Sequence, residues 1–373
     1  MASKVSIVPC TDYSLAAEGI RDSVDIIGGL SPVIKSGDRV LLKPNVLAAR
    51  RPEDAVTTHP AIVSEMCEMV REAGGIPVIG DGAGIAFMGA TAEAFVASGI
   101  AAVAEEQHVE LINFQTAGFE KVDVPGAMHF PQLFVSKAVL DADVIISLPK
   151  LKTHELTYYT GAVKNMFGAL PLKHRKEMHL LAERKLFGEA VIDLYSVAKP
   201  HLAVMDGVVG MEGNGPSHGN PVNTGVIMAS YEPVSLDIAA SRLIGLDPME
   251  VPTTRAALER GLATCKLEIV GVPLEEASVK YKPSNGGILF NVPPFITRIF
   301  GRYYSVRPEI DNSRCIRCGA CVNACPVNAV VCEGGKLSID KERCILCYCC
   351  REMCPEDAVG SDRSLLAKVL TNA

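Results

Sequence analysis

A chain of 373 residues is long for one compact domain and long enough for two. Its composition, 48% hydrophobic and 21% charged with 32 glycines and 23 prolines, is that of an ordinary α/β protein. A formal net charge of −7, no tryptophan and no arginine-rich patch with interleaved aromatics argue against a general affinity for nucleic acid or anionic membrane.

The start, "MASKVSIVPC", has no apolar run of signal-peptide length, and no run elsewhere is long enough to span a bilayer. The most membrane-like piece, "GGILFNVPPFITRIF" at 286–300, is broken by Pro293 and Pro294 and reads as a packed linker. A cytoplasmic protein without a transmembrane segment is expected.

From the N-terminus, short β-rich apolar runs alternate with helical patterns. This predicts an α/β domain over 1–280, a mainly parallel sheet flanked by helices. Strands are predicted at 4–9, 39–44, 76–81, 142–149, 201–206 and 224–230. Helices are predicted at 14–29, 60–73, 91–106, 185–198, 234–244 and 252–261. The helix from Pro60 carries a proline in its first turn and stops at "EAGG", so its start and stop signals agree.

The residues just past each strand are more informative, because open α/β sheets bind ligands beyond the carboxyl ends of their strands. The second strand runs into Lys43 and Asn45, and the third into "GDGAG" at Asp81. The fourth meets Lys150, Lys152 and His154, and the fifth "MDGVVGMEGNGPSHG" with Asp206, Glu212 and Asn214. Polar groups therefore gather on one sheet edge. "GDGAG" lacks the full dinucleotide fingerprint. His59 reads as a helix-start residue or a ligand, His174 and His179 as solvated, and Asp237 as an ordinary cap or salt-bridge residue.

The stretch "LPKLKTHELTYYTGAVKNMFG", 148–168, concentrates three lysines and a histidine. It reads as a solvated face, as an anion site, or as a catalytic segment with His154 as acid or base and Lys164 lowered in pKa by its neighbours.

Ten of the 13 cysteines lie between 315 and 354. "CIRCGACVNACPVNAV" and "CILCYCCREMCPEDAV" repeat with an offset of 29 residues, 315 to 344. Each reads C-x2-C-x2-C-x3-C-P and resembles the bacterial two-cluster ferredoxin run. Three thiolates on a tight loop address one cubane, while the fourth starts a helix that points to the other. The crossed assignment gives Cys315, Cys318, Cys321 and Cys354 to one [4Fe–4S] cluster. It gives Cys344, Cys347, Cys350 and Cys325 to the second. Zinc is the competing reading of the C-x2-C pairs. Cys332 and Cys349 fall outside the pattern. Expected boundaries are a linker at 281–308, a small α+β two-cluster ferredoxin domain at 309–360 and a tail at 361–373.

The motifs "VLLKPN", "AVTTHP", "DADVIISLPKLKTH", "TGAVKNMFG", "VMDGVVGMEGNGP" and "DIAASRLIG" together resemble domain-of-unknown-function family number 362. C-terminal ferredoxin modules are common in that family. The resemblance implies an architecture and no particular reaction. A more local likeness, over "ADVIISLPKLKTHELTYYTGAVKNMFG", is to the nickel-pincer lactate racemase family. It implies that Lys164, after Gly161, corresponds to a cofactor-carrying lysine and His154 to a site histidine, with "TGAVK" replacing the family's double glycine.

The resulting expectation is a ferredoxin-linked oxidoreductase. Two [4Fe–4S] clusters relay low-potential electrons to an anionic substrate or cofactor. Lys43, Asn45, Asp81, Lys150, Lys152, Asp206, Glu212 and Asn214 bind it, and His154 and Lys164 do the chemistry. An external ferredoxin or flavoprotein reloads the clusters. The alternative is a non-catalytic electron-transfer or accessory subunit docked to a larger redox enzyme.

Overall fold

The computed structural model describes residues 2–84, 90–181, 183–284 and 306–363. Most of the expected linker, including 286–300, and most of the expected tail lie outside the described residues. In chain order the strands are β1 (Ser3–Pro9), β2 (Arg39–Pro44), β3 (Ile76–Asp81), β4 (Glu110–Asn113), β5 (Phe119–Asp123), β6 (Gln132–Ser136), β7 (Val144–Leu148) and β8 (Lys150–His154). They continue with β9 (Tyr158–Tyr159), β10 (Leu202–Glu212), β11 (Asn220–Ser230), β12 (Leu267–Gly271), β13 (Val306–Ile310), β14 (Val330–Glu333), β15 (Lys336–Ile339) and β16 (Val359–Arg363).

The central sheet runs β12-β1-β11-β10-β7-β2-β3-β4, and β8 leaves that path to pair with β10. Only β11 runs antiparallel within this row. Such a sheet is covered on both faces, which explains why β2 and β7 read as continuous buried runs. Side chains alternate across it. Val40 and Leu42 pack with the helices Ala16–Asp25 and Pro60–Glu72, while Leu41 packs with the helix Arg184–Tyr195. Lys43 shares the parity of Leu41 and stands at the strand's carboxyl end.

The chain steps outward through β2, β3 and β4, then returns to the other side of β2 as β7. The order therefore reverses between β2 and β7, and a crevice opens at their carboxyl ends.

Several boundaries differ from expectation. The strand predicted at 142–149 ends at Leu148; Pro149 cannot donate to a ladder, and β8 begins after it. The helix predicted at 91–106 is two, Ala90–Ala97 and Ile100–Glu106, because Gly99 between them has φ +76°. The strand predicted at 201–206 continues to Glu212, forming a long hairpin with β11.

Residues from Val306 onward form a small unit with its own core around Ile310, Ala329, Leu337 and Val359. β13 pairs with β16, and β14 with β15. The internal repeat is visible in the backbone. Positive φ occurs at Arg317 and Leu346, Gly319 and Tyr348, and Asn328 and Asp357, all pairs separated by the same offset as the cysteine runs.

Candidate functional site

The cysteine loops are shaped to hold thiolates. All ten thiols of the module are free of disulfides. Ala329 N–H donates to Cys325 Sγ at 3.1 Å and, one repeat later, Ala358 N–H donates to Cys354 Sγ at 3.2 Å. Arg317 N–H donates to Cys315 Sγ at 3.4 Å. Cys315, Cys318, Cys321 and Cys354 line one cavity together. The thiols acting on Cys350 are those of Cys347, Cys344, Cys321 and Cys325. Among the described residues no three His, Cys, Asp or Glu side chains converge as ligands of a single ion would. The module carries two [4Fe–4S] clusters, matching its two cysteine runs.

The second element of the site is the crevice between β2 and β7. Lys43 Nζ meets Asp81 Oδ1 at 2.6 Å, with both side chains buried. Asp81 also accepts from Val46 N–H and Gly82 N–H, which fixes the turn after β3. Asn165 ties the crevice together. Its amide donates to the Lys43 carbonyl at 3.0 Å and to Ser147 Oγ at 3.1 Å, and its oxygen accepts from Asn45 at 3.1 Å. Lys43, Asn45, Asp81, Lys152, His154 and Lys164 line a single cavity of about 60 Å³.

The local chain path explains two of these positions. After β8 the backbone turns back through β9 and enters the short helix Gly161–Asn165, which presents Lys164. Gly161 has φ +67°, and a Cβ there would collide with the Tyr159 ring and the Asp237 carboxylate. Asp237, on the helix Pro233–Leu243, accepts from Ala162 N–H at 2.6 Å and Val163 N–H at 3.0 Å. It caps this helix from a distant element. Burial raises its carboxyl to about 7.

His154 is 1% exposed, and its Nδ1 accepts from Leu156 N–H at 3.0 Å. That leaves Nε2 carrying the proton, 3.5 Å from Glu352 Oε1. Burial, then Lys164 and Lys152, holds its pKa well below the ordinary value, so the ring is a neutral donor. Burial also lowers Lys152 and Lys164 and raises Glu352.

Not every expected residue joins this cavity. Lys150 is neutralised by Asp206 at 2.9 Å, and both are fully buried beside Tyr13. Glu212 pairs with Lys282 at 3.3 Å. Asn214 lies in the loop after β10, whose Pro216, not Asn214, lines the cavity. Lys150 and Lys152 are buried, not solvated, and so is His179. Asp237 caps the Lys164 helix instead of its own. His59 is a helix-start residue, its ring accepting from Ala61 N–H at 3.2 Å.

Local patterning singled out none of Arg175, Glu352 or the pair Glu155–Arg351. Arg175 donates to the carbonyls of Leu170, Ala83 and Gly168, bracing the wall; burial lowers its pKa to about 10. Glu352 and Cys349 come from the helix Cys349–Glu352, which bears the ligand candidate Cys350. They line an adjoining cavity of about 90 Å³ with Lys164, Arg175 and His179. The ferredoxin module thus forms one wall of the crevice.

Fold and site define an iron–sulfur protein in which a ferredoxin module closes the carboxyl edge of an α/β sheet. The chain belongs to the family described as Domain of unknown function (DUF362), whose model matches residues 40–242. The 4Fe-4S binding domain matches residues 308–331 and 337–359. The chain is 33% identical over 273 residues to the thylakoid-associated protein sll1697 of Synechocystis sp., covering 72% of this chain and 83% of that one. Among solved structures, it is similar to the lactate racemase apoprotein from Thermoanaerobacterium thermosaccharolyticum, with TM-score 0.41 and 12% identity. That likeness covers 65% of this chain and 57% of the other, and it bears on neither cofactor nor reaction. Among the described residues, no helix is long and apolar enough to cross a membrane.

Proposed function

We propose that the protein is a ferredoxin-linked reductase whose substrate, a small anionic organic compound, occupies the crevice between β2 and β7. One observation carries the reading: Lys164 and Arg175 share a cavity with Cys349 and Glu352, next to Cys350. When bound, the two clusters supply one electron each, which with two protons saturates one double bond.

The ligand sets are the crossed ones, Cys315, Cys318, Cys321 and Cys354 for the outer cluster, and Cys344, Cys347, Cys350 and Cys325 for the inner. The chain's other residues bind and orient. Lys152 and Lys164 attract the anion, Asn45 and Thr160 fix its pose, and His154 Nε2–H donates a hydrogen bond to the developing charge. Lys43 and Asp81 hold the floor. Residues 1–280 make the substrate domain and 309–360 the electron module, reloaded in the cytoplasm by an external ferredoxin or flavoprotein.

The test is reoxidation. Protein reduced anaerobically and freed of reductant is mixed with a panel of 2-oxo and enoic acids, and cluster bleaching is followed. Wild type should be reoxidised by at least one acid, and Lys164→Ala and His154→Ala variants with full iron content should be slowed by roughly tenfold or more. Equal rates in wild type and both variants would leave a carrier without a substrate site.

A further inference from the structure

The walls of the crevice do not balance electrically. Lys43 has its counter-ion in Asp81. Lys152, 1% exposed, donates to a neutral group, the Val56 carbonyl, at 2.6 Å. Lys164 opens on both cavities and lies over the Phe167 ring at 5.3 Å. The carbonyls around Arg175 orient it without cancelling its charge. Beyond the Lys43–Asp81 pair, Lys152, Lys164 and Arg175 thus border the crevice with a single carboxylate, Glu352. Burying like charges in this way is costly unless an anion joins them.

Two further features bear on the shape of that anion. Lys152 reaches only the inner cavity, whereas Lys164 and Arg175 border both, and Lys176 reaches only the outer one. A cationic end therefore exists in each of two adjoining cavities of about 60 and 90 Å³. Within the inner cavity, the Thr160 hydroxyl, on a residue 4% exposed, has no hydrogen-bond partner among the described residues. Buried polar atoms of this kind are rare without a role.

We propose that the crevice binds a short dicarboxylate end-on. One carboxylate sits against Lys152 and Thr160 in the inner cavity, and the other lies between Lys164 and Arg175 in the outer. This rests on the anion-binding reading above and narrows it to a substrate class. A compact inorganic dianion carries the charge but cannot occupy both cavities. A monocarboxylate leaves one end unmatched.

The experiment uses full-length, cluster-loaded protein purified anaerobically, with malonate, succinate, acetate and inorganic phosphate as probes in calorimetric titrations. Malonate or succinate should bind at least roughly tenfold more tightly than acetate and phosphate, the size of effect expected for one charge-assisted hydrogen bond. Lys152→Met and Lys164→Met should each weaken the dicarboxylate by roughly tenfold. Iron content and melting temperature identify any variant that has failed to fold. In buffers of different ionisation enthalpy, binding should take up protons as the lysines recover their charge. Acetate binding as tightly as the dicarboxylates, or phosphate binding more tightly, overturns the dicarboxylate and spares the anion site. No binding of any probe overturns both.

Discussion

Glu155 and Arg351 form an ion pair at 2.6 Å with side chains only 2% and 7% exposed, although 196 residues separate them in the chain. Glu155 follows β8, and Arg351 lies on the helix Cys349–Glu352 of the ferredoxin module. The His218 ring lies 2.8 Å from the Arg351 carbonyl. This contact fixes the module against the crevice. Removing one partner strands a buried charge, so Glu155→Gln or Arg351→Met should cost about 3–5 kcal/mol of docking or folding stability. The double variant should lose less than the sum. Melting curves on all three variants would show it; strict additivity would mean that the pair does not hold the two units together.

Gly161 is needed for the turn into the Lys164 helix. Gly161→Ala must displace Tyr159 or Asp237 and adopt an αL backbone, a combined cost of about 2 kcal/mol or more. Asp237→Leu removes both caps and should cost about 1–2 kcal/mol. Both variants should lower thermal stability and dicarboxylate affinity together, because Lys164 moves with its helix.

His179 gives the stability a signature in acid. Burial holds its pKa down to about 4, against an ordinary value of 6.5. Between those values the unfolded chain takes up a proton that the native ring refuses. Stability therefore falls as pH drops from 6.5 to 4, by about 3 kcal/mol at most, and this group adds nothing further outside that window. His179→Gln retains a donor for the Arg175 carbonyl. It should flatten that part of the stability–pH curve, as measured by denaturant titration at each pH.

The crossed ligand assignment is testable by iron counting and electron paramagnetic resonance. Cys325→Ser and Cys350→Ser should each leave about four of about eight irons and the same residual spectrum. Cys318→Ser and Cys354→Ser should leave the other spectrum. Were Cys325→Ser to match Cys318→Ser instead, each run would hold its own cluster.

The ferredoxin module was legible because its ligands are local. Three thiols at a spacing of three residues, with the fourth before a proline, carry their geometry in the sequence, and the repeat offset recurs in the backbone dihedrals. The buried strands were legible too, since a parallel sheet covered on both faces demands continuous apolar runs such as "VLL" in β2 and "VIIS" in β7. Lys43, Asp81 and His154 could be singled out as polar residues after such runs, and Lys164 from the lysine-rich stretch 148–168. Their distribution could not: nothing local says that Lys150 turns inward to Asp206 while Lys152 faces the crevice.

By itself, then, the sequence determined the two cluster-binding runs, the α/β class and the sheet edge where polar residues collect. These depend on spacing and on alternation over a few residues. Which lysines are neutralised, that Asp237 caps the Lys164 helix, that Glu352 lines the crevice and that Arg351 pairs with Glu155 were decided by the tertiary structure alone. Each requires side chains far apart in the chain to meet in a low-dielectric interior. There, burial and the nearest opposite charge, not sequence neighbours, fix the state of an ionisable group.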